Sequence, residues 1–222
     1  MNKNILKHSF FVILLLLLAN SCKKDENELP DIDENVYHSV TIGTQTWIVE
    51  NLKVTHYRNG DPIPNVRDVT IWDTLTTGAY CDYDNNARNA KIYGRLYNWY
   101  AVNDSRNLAP AGWHIATETE FRELIAYLGG EDVAGAKLKE SGTLHWRSPN
   151  INAVNESGFT ALPGGTVLGS GFAGLGESGN LWSATESTSG TAYYFCLHYL
   201  TGRAFVSTQA KTIGIAVRCV QN

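Results

Sequence analysis

Past Leu18 the sequence has no hydrophobic run approaching the roughly 20 residues that a membrane-spanning helix requires, so no later segment is expected to cross a bilayer. An excess of basic charge is also missing: 18 Lys and Arg stand against 22 Asp and Glu, a net charge of −4. That balance disfavours a nucleic-acid partner, because phosphate neutralisation needs a surplus of cations. No internal repeat of fixed period occurs, which excludes solenoids and propellers. Catalytic signatures are absent too. There is no His-Glu-x-x-His and no Gly-x-Ser-x-Gly, and Gly164 to Ser170 lacks the lysine of a phosphate loop. His38, His56, His114, His145 and His198 are scattered and show no metal-ligand spacing. No cofactor is expected, and an enzyme of unassigned activity is the last of three functional readings.

What is present begins at the N-terminus. Met1 to Lys7 carries Lys3 and Lys7 and no acid, and Ser9 to Ala19 follows as an apolar core with Leu14 through Leu18 unbroken. The core is too short to span and reads as a signal peptide. Leu18-Ala19-Asn20-Ser21-Cys22 resembles a lipobox, where cleavage precedes a cysteine that carries diacylglycerol. Residues 1–21 are therefore expected to be removed and Cys22 to be the lipid attachment site, with two or more chains giving a stable anchor. Residues 22–35 read as a flexible, acidic tether without apolar periodicity. Lys23-Lys24-Asp25-Glu26 resembles the surface-export signals of Bacteroidota lipoproteins, so the expected location is the outer membrane, facing outward or, alternatively, the periplasm. Loss of Lys3 and Lys7 takes the charge from −4 to −6. The remaining chain of about 200 residues suffices for one well-packed core, assigned to residues 36–222.

The hydrophobic pattern of that domain is mixed. Val36, His38, Val40 and Ile42 alternate with Tyr37, Ser39 and Thr41 as in a half-buried strand, Gly43-Thr44 makes a turn, and Gln45 to Val49 continues as the partner strand. Gly94 to Val102 places Leu96, Tyr97, Tyr100 and Ala101 on one helical face. A second helix is marked by a capping box, Thr117 with Glu120, by Phe121, Leu124, Ile125 and Leu128 at helical spacing, and by a Gly129-Gly130 stop. Leu144 to Gly179 is rich in Gly, Asn and Ser and reads as long ordered loops with short strands. Ala192 to Leu200 sends Tyr193, Phe195, Leu197 and Tyr199 to one face, and Ile213, Ile215, Val217 and Cys219 share a face of the last strand.

Seven blocks carry a family resemblance: Gly78-Ala79-Tyr80-Cys81, Tyr93 to Val102, Leu108-Ala109-Pro110-Ala111-Gly112-Trp113-His114, Asn155 to Phe159, Leu162-Pro163-Gly164-Gly165, Leu181 to Glu186 and Val217-Arg218-Cys219-Val220. In this order they resemble the Fibrobacter succinogenes major paralogous domain over about Tyr37 to Gln221, a family of lipoproteins and secreted proteins. The resemblance implies location and fold and carries no activity. More distantly, the order of elements resembles the C-type-lectin-like fold on its formylglycine-generating-enzyme branch. The expected class is accordingly α+β, a C-type-lectin-like domain with two helices, a short antiparallel sheet and long Gly/Asn-rich loops. The copper oxidases of that branch use two cysteines close in sequence, whereas Cys196 and Cys219 are far apart, so oxidase activity is not expected.

Three cysteines remain after Cys22, an odd number for an oxidising compartment. Cys81 and Cys219 lie in family-matching blocks and Cys196 does not, so the resemblance favours a Cys81–Cys219 disulfide with Cys196 as a free thiol. A Cys196–Cys219 bridge and a fully reduced trio stay open. Asp82, Asp84 and Asn86 alternate as oxygen ligands do in calcium loops, but Ala87 and Tyr93 stand where an EF-hand needs Gly and Glu, so an Asx-rich turn is the plainer reading. Function falls into three classes. The first is a binding module for extracellular polysaccharide or glycoprotein, with Trp146, Phe172 and Trp182 as candidate aromatic contacts, each of which could equally be core. A structural or adhesin-type subunit of a surface assembly is the second, and the unassigned enzyme the third. The expected partners are a membrane, through the lipid, and a glycan or a cell-surface protein.

Overall fold

A computed structural model describes residues 29–222. Cys22, the signal peptide and the export signal lie outside the described residues. The chain runs β1 (Leu29–Pro30), β2 (Val36–Tyr37), β3 (Ser39–Ile42), β4 (Gln45–Ile48), a 3-10 turn (Val69–Thr74), β5 (Tyr80–Cys81), a second 3-10 turn (Tyr83–Asn85), α1 (Ala87–Tyr93), β6 (Leu96–Tyr97) and α2 (Trp99–Val102). It continues through β7 (Trp113–Ile115), α3 (Glu118–Tyr127), α4 (Glu131–Leu138), β8 (Gly164–Leu168), β9 (Gly171–Leu175), β10 (Ser178–Glu186), β11 (Thr191–His198), β12 (Ala204–Ala210) and β13 (Cys219–Gln221).

The fold is mixed α and β, with several small antiparallel sheets and short helices. The expected opening hairpin forms: β3 pairs with β4, Val40 opposite Trp47 and Ile42 opposite Gln45. β13 and β7 complete a four-stranded sheet in the order β3-β4-β13-β7. Because strand side chains alternate, this sheet separates two apolar clusters. Ile48, Ile115 and Cys219 face one with Tyr97, Trp182 and Val217; Trp47 and Val220 face the other with Phe121, Leu124 and Phe195. The second sheet, β10-β11-β12, packs against α3, where the Phe121 and Phe195 rings stack at 4.8 Å.

The expected α3 is present with its capping box: Thr117 Oγ1 accepts from Glu120 N–H, and Glu120 Oε2 accepts from Thr117 N–H at 2.8 Å. Its core face is Phe121, Leu124 and Ile125, and Gly129 and Gly130, both at positive φ, end it. α4 then crosses so close to the β11–β12 connection that a Cβ on Gly135 would lie 2.1 Å from the Arg203 carbonyl oxygen. Only glycine permits that approach.

Three expectations are corrected. Gly94 to Val102 is not one helix: Leu96–Tyr97 pairs with β5 as β6, and only Trp99–Val102 is helical, with Asn98 capping it. The apolar residues here fill a strand and a short helix, both buried, which a helical period cannot separate from one continuous face. Two expected helices become four among the described residues. Ile213, Ile215, Val217 and Cys219 do share one cluster, but the regular strand is only Cys219–Gln221. Gly214, Ile215 and Ala216 make isolated bridges to Val167, Tyr97 and Leu181, and the segment threads between sheets with both sides buried.

Residues 29–35, read as flexible tether, are built into the domain. Leu29 and Pro30 pair with Tyr37 and Val36. Asp31 accepts from the Asp33 and Asn35 amides and from the Tyr37 hydroxyl at 2.6 Å. Asp33 accepts from the Thr55 and His56 amides and meets His56 Nδ1. Carboxylates that looked like solvating charge act as local hydrogen-bond hubs.

Cations hold the loops of residues 139–163. Lys139 is wholly buried, and its Nζ donates to the carbonyls of Ile151, His198 and Thr201 at 3.1, 3.2 and 2.8 Å. Burial pushes its pKa down to about 8. The three acceptors match the three protons of an ammonium.

Candidate functional site

An open cleft forms around the end of α2. Asn98 fixes that helix: its Oδ1 accepts from the Ala79 and Ala101 amides at 3.0 and 3.1 Å, and its Nδ2 donates to the Thr77 carbonyl at 2.8 Å. Trp99, Ala101 and Val102 are thereby buried, and Tyr100 is turned partly outward. The cleft encloses about 430 Å³ between Tyr100, Pro62 and Pro64 on its apolar side and Thr76, Thr77, Asn103, Asp104, Ser105 and Arg106 on its polar side. Gly78 lies in its floor, where a Cβ would come 2.1 Å from the Tyr57 hydroxyl.

One polar wall is locked. Arg106 donates to both Asp104 oxygens, Nε to Oδ1 at 2.9 Å and Nη2 to Oδ2 at 2.8 Å, and Nη1 reaches Asp61 at 3.2 Å. The guanidinium lies 4.0 Å from the centroid of the Tyr57 ring. These bonds hold the Asp104 carboxyl below the usual carboxylate range. Burial first, and then the Asp104 charge, push Tyr57 up to about 12. A bidentate pair stacked on a ring is rigid. By contrast, the side chains of Thr76, Thr77, Tyr100, Asn103 and Ser105 make no hydrogen bonds among the described residues. The cleft thus combines an aromatic ring, a fixed neutralised ion pair and uncommitted neutral donors and acceptors.

A second cleft of about 300 Å³ adjoins it, with Asn103 and Asp104 lining both. Its other walls are Val102, Asn107, His114, Ile115, Thr117 and Ala184. His114 is engaged at both nitrogens, Nε2 with Glu120 at 2.7 Å and Nδ1 with Asn222 at 2.8 Å.

The aromatics singled out from sequence are elsewhere. Trp146 is buried and donates Nε1–H to the Ala161 carbonyl at 2.9 Å; Trp182 is buried and donates to the Tyr97 carbonyl at 2.8 Å. Neither can stack on a ligand. Each indole ring fills an apolar cluster while its N–H finds a backbone acceptor, the arrangement a buried tryptophan needs. Phe172 is half-buried, 5.1 Å from the Tyr83 ring, in a third cluster with Trp72, Cys81 and Val167.

The Asp82, Asp84, Asn86 segment is likewise committed. Asp82 pairs with Arg95, Asp84 sits in a left-handed turn at φ 54°, and Asn86 caps α1 by accepting from the Arg88 amide at 3.0 Å. Among the described residues no three His, Cys, Asp or Glu side chains converge as metal ligands.

The Cys81–Cys219 bridge is not formed: Cys81, Cys196 and Cys219 are separate thiols. Cys81 belongs to the third cluster, opposite Leu96, while Cys219 lies in the central sheet opposite Ile115, so two blocks that resemble the family pack into different cores. Burial raises both thiols well above their ordinary value, and pushes half-buried Cys196 up to about 11.

Tyr100, Asp104 and Arg106 were not singled out from sequence. The helical pattern puts Tyr100 on an apolar face, and Asp-Ser-Arg in a loop carries no spacing signal. The available hint was the close run of aromatic, acidic and basic residues after a family block.

The family model of the Fibrobacter succinogenes major domain matches residues 40–221, which takes in both clefts. No curated protein and no solved structure matches the chain.

Proposed function

Because the chain belongs to the Fibrobacter succinogenes major domain family, whose resemblance points to export, we propose that it is a cell-surface lipoprotein, anchored through Cys22, whose domain binds extracellular glycan in the Tyr100 cleft. The carrying observation is the partly exposed Tyr100 ring in one cleft with uncommitted hydroxyls and the Asn103 amide, beside the locked Asp104–Arg106 pair. Sugars present C–H faces that pack on aromatic rings and hydroxyls that need directional partners, and a site fixed before binding loses little entropy on occupation. The volume lies within the roughly 300–1,000 Å³ of small-molecule sites. The finer fold reading, a C-type-lectin-like scaffold, fits a role in which irregular loops stand on small rigid sheets.

The test is a glycan array with the purified protein and its Tyr100→Ala variant. Binding that disappears in the variant supports the reading; an array without any bound glycan, or binding indifferent to Tyr100, overturns it. A second reading, a subunit of a surface assembly, is favoured by one observation: Leu144, Val154 and Leu200 are 82%, 58% and 50% exposed. Single exposed apolar residues are common on monomers, so the cleft takes precedence.

A further inference from the structure

The two clefts share Asn103 and Asp104, and neither is an enclosed cavity. An enclosed pocket selects the end of a chain; adjoining open clefts accept its middle. We propose that the occupant is an internal stretch of a linear, uncharged polysaccharide, lying from the Tyr100 cleft across Asn103 into the cleft beside His114; this rests on the glycan reading above.

Two features select that class. Apolar surface occurs in both clefts, Tyr100 with Pro62 and Pro64 in the first and half-buried Ala184 in the second, so a sugar ring in either meets a non-polar contact. The guanidinium on the path is already occupied. Asp104 is matched by Arg106, the His114 ring is held between Glu120 and Asn222, and the uncommitted groups are neutral: Thr76, Thr77, Asn103, Ser105 and Tyr100. A uronic-acid polymer would find no unpaired cation here, and its desolvated carboxylates would lie beside Asp104 and Glu120.

The experiment uses the purified protein and calorimetric titration with gluco-, manno- and xylo-oligosaccharides of one to six units, with oligogalacturonate as the charged counterpart. Affinity for one neutral series is expected to rise on the order of tenfold or more between the shortest and longest members. Ala184→Arg, which fills the second cleft, should remove that gain and leave the shortest ligand unaffected. As a measurement independent of any variant, the longest ligand should shift the amide resonances of His114 and Ala184 together with that of Tyr100, and the shortest only that of Tyr100. An affinity independent of length, or tighter binding of oligogalacturonate, overturns this inference while leaving a Tyr100 sugar site standing. If no saccharide of any length binds, the glycan reading falls with it.

Discussion

Arg218 and Asn51 meet in the interior, the guanidinium Nε donating to the amide Oδ1 at 2.8 Å across 167 residues of sequence. Asn51 passes the contact on, its Nδ2 donating to the Tyr93 carbonyl at 2.7 Å. Arg218 also donates to the Phe159 and Thr160 carbonyls, with its guanidinium 4.2 Å from the Phe159 ring centroid. Burial pushes its pKa down to about 9, opposed by the charge of Glu50, so it is a cation at neutral pH. It ties the C-terminal segment to the β4–α1 connection and to the loop of residues 155–160.

Replacing Arg218 by Lys should therefore destabilise more than a like-charge exchange suggests. A lysine carries its three protons on a single nitrogen and cannot span the acceptors that Arg218 reaches from Nε, Nη1 and Nη2, and the acceptors it abandons are buried. The expected loss is about 2–4 kcal/mol, read as a lower urea midpoint with unchanged m-value. A midpoint equal to that of the parent protein would show that the network contributes nothing.

The thiols give a prediction with a defined pH sense. Cys81 and Cys219 ionise near 9.0 when unfolded and well above it when folded. Their contribution to stability is complete below pH 9 and declines above it, because the unfolded chain then releases protons that the folded one keeps. At pH 8 a thiol reagent should modify Cys196 slowly and leave Cys81 and Cys219 untouched, whereas in urea all three should react. A Cys81–Cys219 cross-linked peptide in a non-reducing digest, or rapid labelling of Cys81 in the native protein, would contradict this.

How far the sequence reached depended on whether the signal was local. The β3–β4 hairpin and α3 rest on a period of two, a capping box and a double-glycine stop, all within a few residues, and both form. Residues 94–102 are not one helix because β6 is buried and α2 buries Trp99, Ala101 and Val102 around nearly its whole circumference, where apolar spacing no longer reports one face. Trp146 and Trp182 could not be placed because a tryptophan's exposure is decided by partners such as Ala161 and Tyr97, distant in sequence. The site was less legible still. Tyr100, Pro62, Thr76 and Arg106 are brought together by contacts distant in sequence, among them the bonds of Asn98 to Thr77 and Ala79 and of Arg106 to Asp61.

The proposed anchor makes Cys22 the point of attachment. Cys22→Ser should abolish incorporation of labelled palmitate and move the protein from the membrane to the soluble fraction, since a lone signal core is too short to hold it in a bilayer. Persistence in the membrane with an intact N-terminus would remove the lipoprotein reading.

Asp33 ties residues 29–35 to the body of the domain. Its carboxylate accepts from the Thr55 hydroxyl and from the Thr55 and His56 amides, and meets the His56 ring. Partial burial works upward on its pKa, but the bonds from Thr55 and His56 prevail and hold it below 3.8. A carboxylate stabilised in this way supports the fold fully above pH 3.8 and ceases to do so as pH falls through its lower folded value. Asp33→Ala should loosen β1 and the turn of residues 31–35 while sparing the core, because neither Thr55 nor His56 belongs to the apolar clusters and Tyr37 of β2 stays packed in one of them. Loss of about 2–3 kcal/mol of local stability corresponds to amide exchange on the order of a hundredfold faster at Asn35, Thr55 and His56. Exchange at Phe121 and Val220 should not change. In the parent protein the same amides should lose protection selectively as pH is lowered below 3.8, after correction for the intrinsic rate. Equal acceleration at Phe121 would mean that residues 29–35 are part of the global folding unit, and no acceleration at Thr55 would mean that Asp33 does not hold them.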